Sequence, residues 1–424
     1  MILAAFRVRS FRFQWPADLL TSWAFEMETL ILGWYVMVET RSVLLLTLFG
    51  SLQFLGTLAA PMFGVLGDRV GARLMLCAMR AIYAALAALL MVLALTGLLS
   101  PAWVLVLAAL NGLVRPNDLV MRNTLIGETI PPDHLMGALG MSRATMDSAR
   151  VGGALAGAGL SILLGIGGTY AFVTIFYVAS LALTFGVARA AQFPSPPEGG
   201  EGRVRGLPLR GTRWREMKDG LAHVLRRPQL LAPMWLAFLI NLTAYPVSGG
   251  LLPYVAREIY QADATGLGSL VASFSLGALL ASIAMVMTGG PRNPERFTLV
   301  FTVLWYVLLA GFGYVQSMSV GRVVLFVAGF VQSLAMISMT ATLLTAAGEG
   351  YRARVMGVRM LAVYGLPLGL LAAGALIERI GYPHTVAGLA AVGLVFTTLI
   401  AIRWRAAMWR GTRLPSGETS PHRA

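Results

Sequence analysis

Apolar residues run along this chain in long blocks, separated by short breaks that hold charges, glycines and prolines. Twelve such blocks fall near residues 17–40, 43–66, 74–97, 102–126, 138–164, 168–190, 229–256, 264–288, 297–317, 320–346, 356–379 and 382–403. A helix needs roughly 20 mostly apolar residues to cross a bilayer core. The pattern therefore predicts an all-α membrane protein of twelve transmembrane helices. The longest break, 191–228, divides them into two six-helix halves, 1–190 and 229–403, with a tail at 404–424. The halves echo one another weakly: Leu135-Met136-Gly137 opens the fifth block and Val355-Met356-Gly357 the eleventh.

Composition narrows the class. Apolar residues make up 57% of the chain and charged residues 12%, the latter about half the usual globular share. That balance excludes a soluble enzyme, a nucleic-acid-binding domain and a disordered chain. The lone lysine, Lys218, precedes Asp219 and stands in no phosphate-cradling loop, so no ATPase engine is expected. A single cysteine, Cys77, excludes internal disulfides and cysteine-cluster metal sites. His134, His223, His384 and His422 are widely spaced, so no metal site and no cofactor is expected.

The net charge of +14 changes the picture through its placement. With the N-terminus in the cytoplasm, cytoplasmic stretches and helix ends carry about 25 of the basic residues, and the outer loops carry Arg41, Arg257, Arg322 and Arg379. Both termini are then cytoplasmic, and the protein is expected to be multi-pass in the inner membrane. Anionic lipid headgroups account for the charge; no nucleic acid is needed as a partner. Ile2–Phe6 is too short for a cleavable signal and is followed by Arg7, Arg9 and Arg12, so the first block reads as a retained anchor. Within 191–228, PSPPEGGEG is a linker. Trp214, Met217, Leu221 and Leu225 then recur at helical spacing among basic residues. That stretch reads either as an amphipathic helix on the inner membrane surface or as a solvated basic linker.

Residues 64–73, GVLGDRVGAR, end the second block with glycines, set Asp68 beside Arg69, and reverse at Gly71 before Arg73 opens the next helix. The segment resembles the signature loop of the major facilitator superfamily through Gly64, Asp68, Arg69, Gly71 and Arg73, departing at Ala72, where a basic residue is common. The resemblance implies a cytoplasmic latch that locks the halves when the cavity opens outward. Ser22, Gly33 and Trp34 in the first helix, and Arg115-Pro116 through Pro132, are similar to the exporter branch that carries siderophores and macrolide drugs. Arg150 to Gly157 resembles the fifth-helix antiporter signature, with Gly152-Gly153 where that family usually has Gly-Pro. Gly153 and Gly157 read equally well as small residues that let two helices approach.

Ionisable residues inside a bilayer are costly and face a partner or a wet cavity. Here they cluster in the first half: Glu26 and Glu28, then Arg115, Asp118 and Arg122, then Asp147 and Arg150. The second half offers neutral candidates for its cavity wall, Asn241, Tyr245, Gln332 and Tyr364. At about 100° per residue, Ser22, Glu26, Thr29 and Gly33 share one stripe of the first helix, and Glu28 points away. Glu26 is therefore expected to face the cavity and Glu28 to pair with an arginine. Each acid has two readings, proton carrier or permanent ion-pair partner. Four acids against three arginines leave one acid over, and Glu26 is the candidate.

These features predict a secondary active transporter, with proton-coupled export of a small amphipathic molecule ahead of import of an organic solute on the same fold. A membrane enzyme or receptor would need a nucleophile–base or metal constellation, and none is visible. The expected partners are a small-molecule substrate, protons and anionic lipids, with the protein a monomer and not an enzyme. The topology is directly testable. Reporter fusions at Ala424 and within 191–228 should both report cytoplasm; a periplasmic signal from either rejects the orientation.

Overall fold

The computed structural model describes residues 6–57, 70–188, 222–288, 290–291, 293–348 and 351–409. Gly64, Asp68 and Arg69 of the proposed latch, and Trp214, Met217 and Leu221 of the proposed amphipathic helix, lie outside the described residues. Among the described residues there is no strand. The helices are α1 Arg9–Thr40, α2 Val43–Leu52, α3 Ala72–Leu95, α4 Pro101–Thr129, α5 132–164, α6 166–185, α7 Pro228–Ile259, α8 Ala264–Thr288, α9 Pro294–Phe312, α10 Met318–Ala347, α11 Val355–Ile380 and α12 Tyr382–Arg403. Nine described helical runs are long and apolar enough to cross a membrane, with α5 and α6 counted as one run, Thr145–Phe185.

Local chemistry sets the irregular points. Gly165 joins α5 to α6 at φ 67°, ψ −179°, a conformation open to glycine and strained for other residues. Within α7, regular α-helix ends at Thr243, and π-turns follow at Pro246–Gly250 and Val255–Ile259. Pro246 and Pro253 lack the N–H that would continue the ladder, and the backbone widens around them. The run as a whole still spans Pro228–Ile259 as one apolar membrane-length element, close to the apolar block at 229–256. The first helix departs from expectation, starting at Arg9 rather than residue 17. Phe11 explains the extension: it is buried with Ile126, Ile130 and Ala138 against the end of α4, which offsets the exposure of Arg9 and Arg12.

The halves form two lobes. In the first, α1 packs on the α5–α6 run, which also carries α3. In the second, α10 lies between α8 and α9, and α12 packs on α9. The lobes meet along two seams, α2 against α11 and α5 against α8. On the first seam, the Ser51 hydroxyl donates to the Pro367 carbonyl at 3.1 Å.

The α8–α10 contact is a reciprocal close approach. A Cβ at Gly277 would stand 1.9 Å from the Phe326 carbonyl oxygen, and one at Gly329 2.0 Å from that of Phe274. Backbone has replaced side chain at the crossing, the packing that small residues permit between membrane helices. Gly277→Ala should therefore push the helices apart at a cost of about 1–3 kcal/mol. Gly159→Ala, where a Cβ meets nothing within 4 Å, should leave thermal unfolding unchanged or raised. Equal melting temperatures for the two variants would contradict this packing.

Candidate functional site: a cavity between the lobes

A cavity of about 630 Å³ lies between the two lobes. Ser22, Glu26, Thr29 and Gly33 of α1 all line it, with Phe49 and Gln53 of α2, Arg115, Asp118 and Arg122 of α4, and Asp147 and Arg150 of α5. The second half contributes Tyr245 and Ser248 of α7, Phe274 and Ser275 of α8, and Met360 and Leu370 of α11. The two walls differ in kind: the first carries every charge, and the second is uncharged and mostly apolar.

Of the neutral candidates in the second half, Tyr245 lines the cavity. Gln332 stands behind it and donates its amide N–H to the Tyr245 hydroxyl oxygen at 2.7 Å, while the Tyr245 ring sits edge-on to Trp305 at 5.3 Å. The Asn241 amide donates to the Ala237 carbonyl of its own helix at 2.9 Å. Neither Asn241 nor Tyr364 is among the cavity-lining residues.

The charges separate into three groups. The first is a buried cluster at the end of the cavity nearer the termini. Arg80 of α3 forms an ion pair with Asp18 of α1 and a hydrogen bond with the Thr184 hydroxyl. Arg122 pairs with Asp118 one turn before it. Arg122 also approaches Asp18 at 3.6 Å and donates to the Ser22 hydroxyl at 2.8 Å. All four charged side chains are buried. The cluster ties α1, α3, α4 and α6 together. The sequence reading missed Asp18 and Arg80. Asp18 sits two positions into its apolar block and Arg80 seven into its own, so both passed as end charges. The available signal was pairing, one acid and one base at similar depth.

The second group centres on Glu28, and here the structure corrects an expectation. Glu28 is buried, but its carboxylate accepts from the Asn111 amide at 3.0 Å and the Tyr177 hydroxyl at 2.9 Å. Neutral donors take the place of the expected arginine. Arg115 lies near it, yet donates instead to the Thr29 hydroxyl at 2.8 Å and the Gln53 side-chain oxygen at 2.7 Å. Its guanidinium rests 4.5 Å from the Phe25 ring centroid.

The third group faces the cavity directly. Glu26 and Arg150 approach at 3.8 Å, with 28% and 46% of their side chains exposed. Asp147 and Tyr245 lie within electrostatic reach of Arg150. Glu26 thus looks across the cavity as its stripe required, but it has an arginine beside it. Of the proposed latch, two residues are described. Gly71 precedes α3 at φ 91°, and Arg73 donates to the Phe185 carbonyl at 2.5 Å, tying the start of α3 to the end of α6. Among the described residues no group of His, Cys, Asp or Glu has the arrangement to hold a metal ion.

Two helical lobes around a central, partly charged cavity, with membrane-spanning helices on both sides, define a membrane transporter. The family model of the Major Facilitator Superfamily matches residues 18–368, and the chain belongs to that superfamily. No protein of curated function matches it. Among solved structures, a bacterial homolog of the human lysosomal transporter Spinster, inward-facing and unoccupied, is similar at TM-score 0.71 and 13% identity, covering 96% of this chain and 99% of that one. The human organic anion transporter MFSD10 (TETRAN) is similar at TM-score 0.65 and 16% identity, covering 92% and 99%. A POT family transporter in complex with 5-aminolevulinic acid is similar at TM-score 0.67 and 14% identity, covering 94% and 97%. At these identities the likeness is one of fold.

The buried cluster and the exposed pair should respond differently to neutralisation. Asp18→Asn leaves two buried arginines short of a partner, which costs about 3–5 kcal/mol when a buried pair is broken. Glu26→Gln changes a partly exposed group and should leave unfolding close to wild type. The check is thermal unfolding in detergent, and a larger loss for Glu26→Gln than for Asp18→Asn would invert the assignment.

Proposed function

We propose that the protein is a proton-coupled secondary transporter that exports a small amphipathic molecule by alternating access. The observation that carries this reading is the cavity itself: a charged wall on one lobe, an apolar wall on the other, and acids open to it. Dividing the Thr145–Phe185 run at Gly165 and adding α1 and α2 brings the nine apolar runs to twelve spans. The arginine distribution puts both termini in the cytoplasm of a cell with this protein in its inner membrane. On that orientation the α2–α11 seam closes toward the outer side, where a Cβ at Gly374 would stand 2.2 Å from the Thr47 hydroxyl oxygen, and the cavity reaches toward the cytoplasm at Arg122, Met146 and Met360. The described arrangement is then an inward-facing one. Asp68, Arg69 and Arg73 form the latch that strengthens as the cytoplasmic side closes.

Glu26 is the proton carrier in this reading. It lies on the cavity face, and its 3.8 Å approach to Arg150 is long for a hydrogen-bonded pair, whose N⁺–H···O⁻ distance is about 2.7–2.9 Å. A protonated Glu26 would release Arg150 toward Tyr245 on the opposite lobe, linking the charge state of one lobe to contact with the other. The resemblance of Arg150 to Gly157 to the antiporter signature supports export over import.

Glu26→Gln mimics the protonated acid, so it should abolish transport driven by an imposed pH gradient in inverted vesicles while substrate binding persists. Substrate-induced proton release from purified protein should fall with it. Equal proton release from wild type and Glu26→Gln would move coupling to another acid, Asp147 or Asp118.

A further inference from the structure

We propose that the cavity recognises organic anions, and that Arg115 is the residue that holds the anionic group. The inference deepens the transport reading by naming the substrate class of the same cavity.

The argument starts from what Arg115 does and does not touch. An arginine carries five N–H donors in a planar fork and is always charged. Arg115 spends one nitrogen, Nη1, on two neutral acceptors, Thr29 and Gln53. Nη2 reaches the Phe25 carbonyl at a long 3.4 Å. Among the described residues no carboxylate lies within 4 Å of it. The other three cavity-side or cluster arginines, Arg80, Arg122 and Arg150, each have an acid at that range. Three of five donors are engaged, and the Nε–Nη2 edge, the one that grips a carboxylate with two parallel bonds, keeps two of its three.

The surroundings hold this guanidinium in place. Thr29 and Gln53 fix one end, and the Phe25 ring lies beneath at 4.5 Å. Glu28 stands behind, on a separate small pocket of about 10 Å³ that it shares with Asn111 and Arg115. That volume is about one water, and the buried Asn111 Oδ1 has no partner. Glu28 lines this rear pocket but not the main cavity, whereas Arg115 lines both. The compensating negative charge therefore sits behind Arg115, and the face toward the main cavity is open for an anion. A charge-assisted pair made in a low-dielectric cavity is stronger than the same pair in water.

The opposite wall describes the rest of the ligand. Val271, Phe274, Leu366 and Leu370 face the cavity, surfaces that suit an aromatic or aliphatic body. The recognised class is a carboxylate or sulfonate on an apolar frame.

The test is equilibrium binding to the full-length purified protein in detergent, with 2-naphthoate, neutral 2-naphthamide and cationic 2-naphthylmethylammonium as matched probes. Naphthoate should bind about tenfold tighter than the amide, the scale of one net charged hydrogen bond. Arg115→Gln should erase that preference, and Arg115→Lys, which keeps charge without the fork, should retain part of it. Equal binding of acid and amide, a preference for the ammonium, a preference that survives Arg115→Gln, or no binding of any probe overturns the proposal. If Arg115→Gln fails to fold, the wild-type ranking and Arg115→Lys still decide it. No gradient enters this measurement, so its failure leaves proton-driven export standing, and failure of gradient-driven flux leaves the anion site standing.

Discussion

A charge held inside a helix bundle in lipid must be compensated from within the bundle, and this constraint organises the first lobe. Water is absent on the lipid side, and an unpaired ion there costs several kcal/mol. Arg80 and Asp18 are buried on helices far apart in sequence, so their pairing fixes how α1 and α3 sit. Arg122 extends the same cluster to α4, and the Arg80 bond to Thr184 extends it to α6. The lobe is thus locked by charge at the end nearer the termini and by aromatic packing above it, where Phe25, Tyr83 and Tyr177 meet within 5.0–5.8 Å of one another. The second lobe uses a different device, backbone-to-backbone approach at Gly277 and Gly329. A rigid first lobe and a tightly crossed second lobe suit motion between the lobes rather than within them.

The cavity inherits this asymmetry. Groups needed for structure are held in ion pairs: Asp118 and Arg122 line the cavity yet pair with each other. The groups to which the proposed function gives work are those with incomplete partners, Glu26 and Arg150 at long range and Arg115 with neutral acceptors. One helix, α1, presents both kinds, because Glu26 and Glu28 lie on opposite faces. Their different fates follow from that geometry. Glu26 meets the cavity, and Glu28 meets Asn111 and Tyr177 in the lobe interior.

Much of this was legible in the sequence. Block lengths gave the helices, and the 100° rule placed Ser22, Glu26, Thr29 and Gly33 together on the cavity wall. Membership of the superfamily was legible in the loop at 64–73. Partner choice was not. Periodicity says which way Glu28 points, not whether an arginine or an amide waits there, because that depends on helix packing. Asp18 and Arg80 escaped for a related reason: charges near block ends read as solvated until a neighbouring helix is known to cover them. The π-turns of α7 needed Pro246 and Pro253 to be weighed as interruptions rather than as tolerated residues of a long apolar run.

The central claim is that the lobes rock as bodies about the cavity, opening one end as the other closes. Distance distributions between paired spin labels test it most directly, with Cys77→Ser as background. One pair, Asn123→Cys and Thr345→Cys, spans the lobes at the end nearer the termini; the other, Thr96→Cys and Gln316→Cys, spans them at the opposite end. The account predicts two distances for each pair, with pH shifting the populations in opposite senses at the two ends. A single distance for both pairs, or changes of the same sense at both ends, would contradict it.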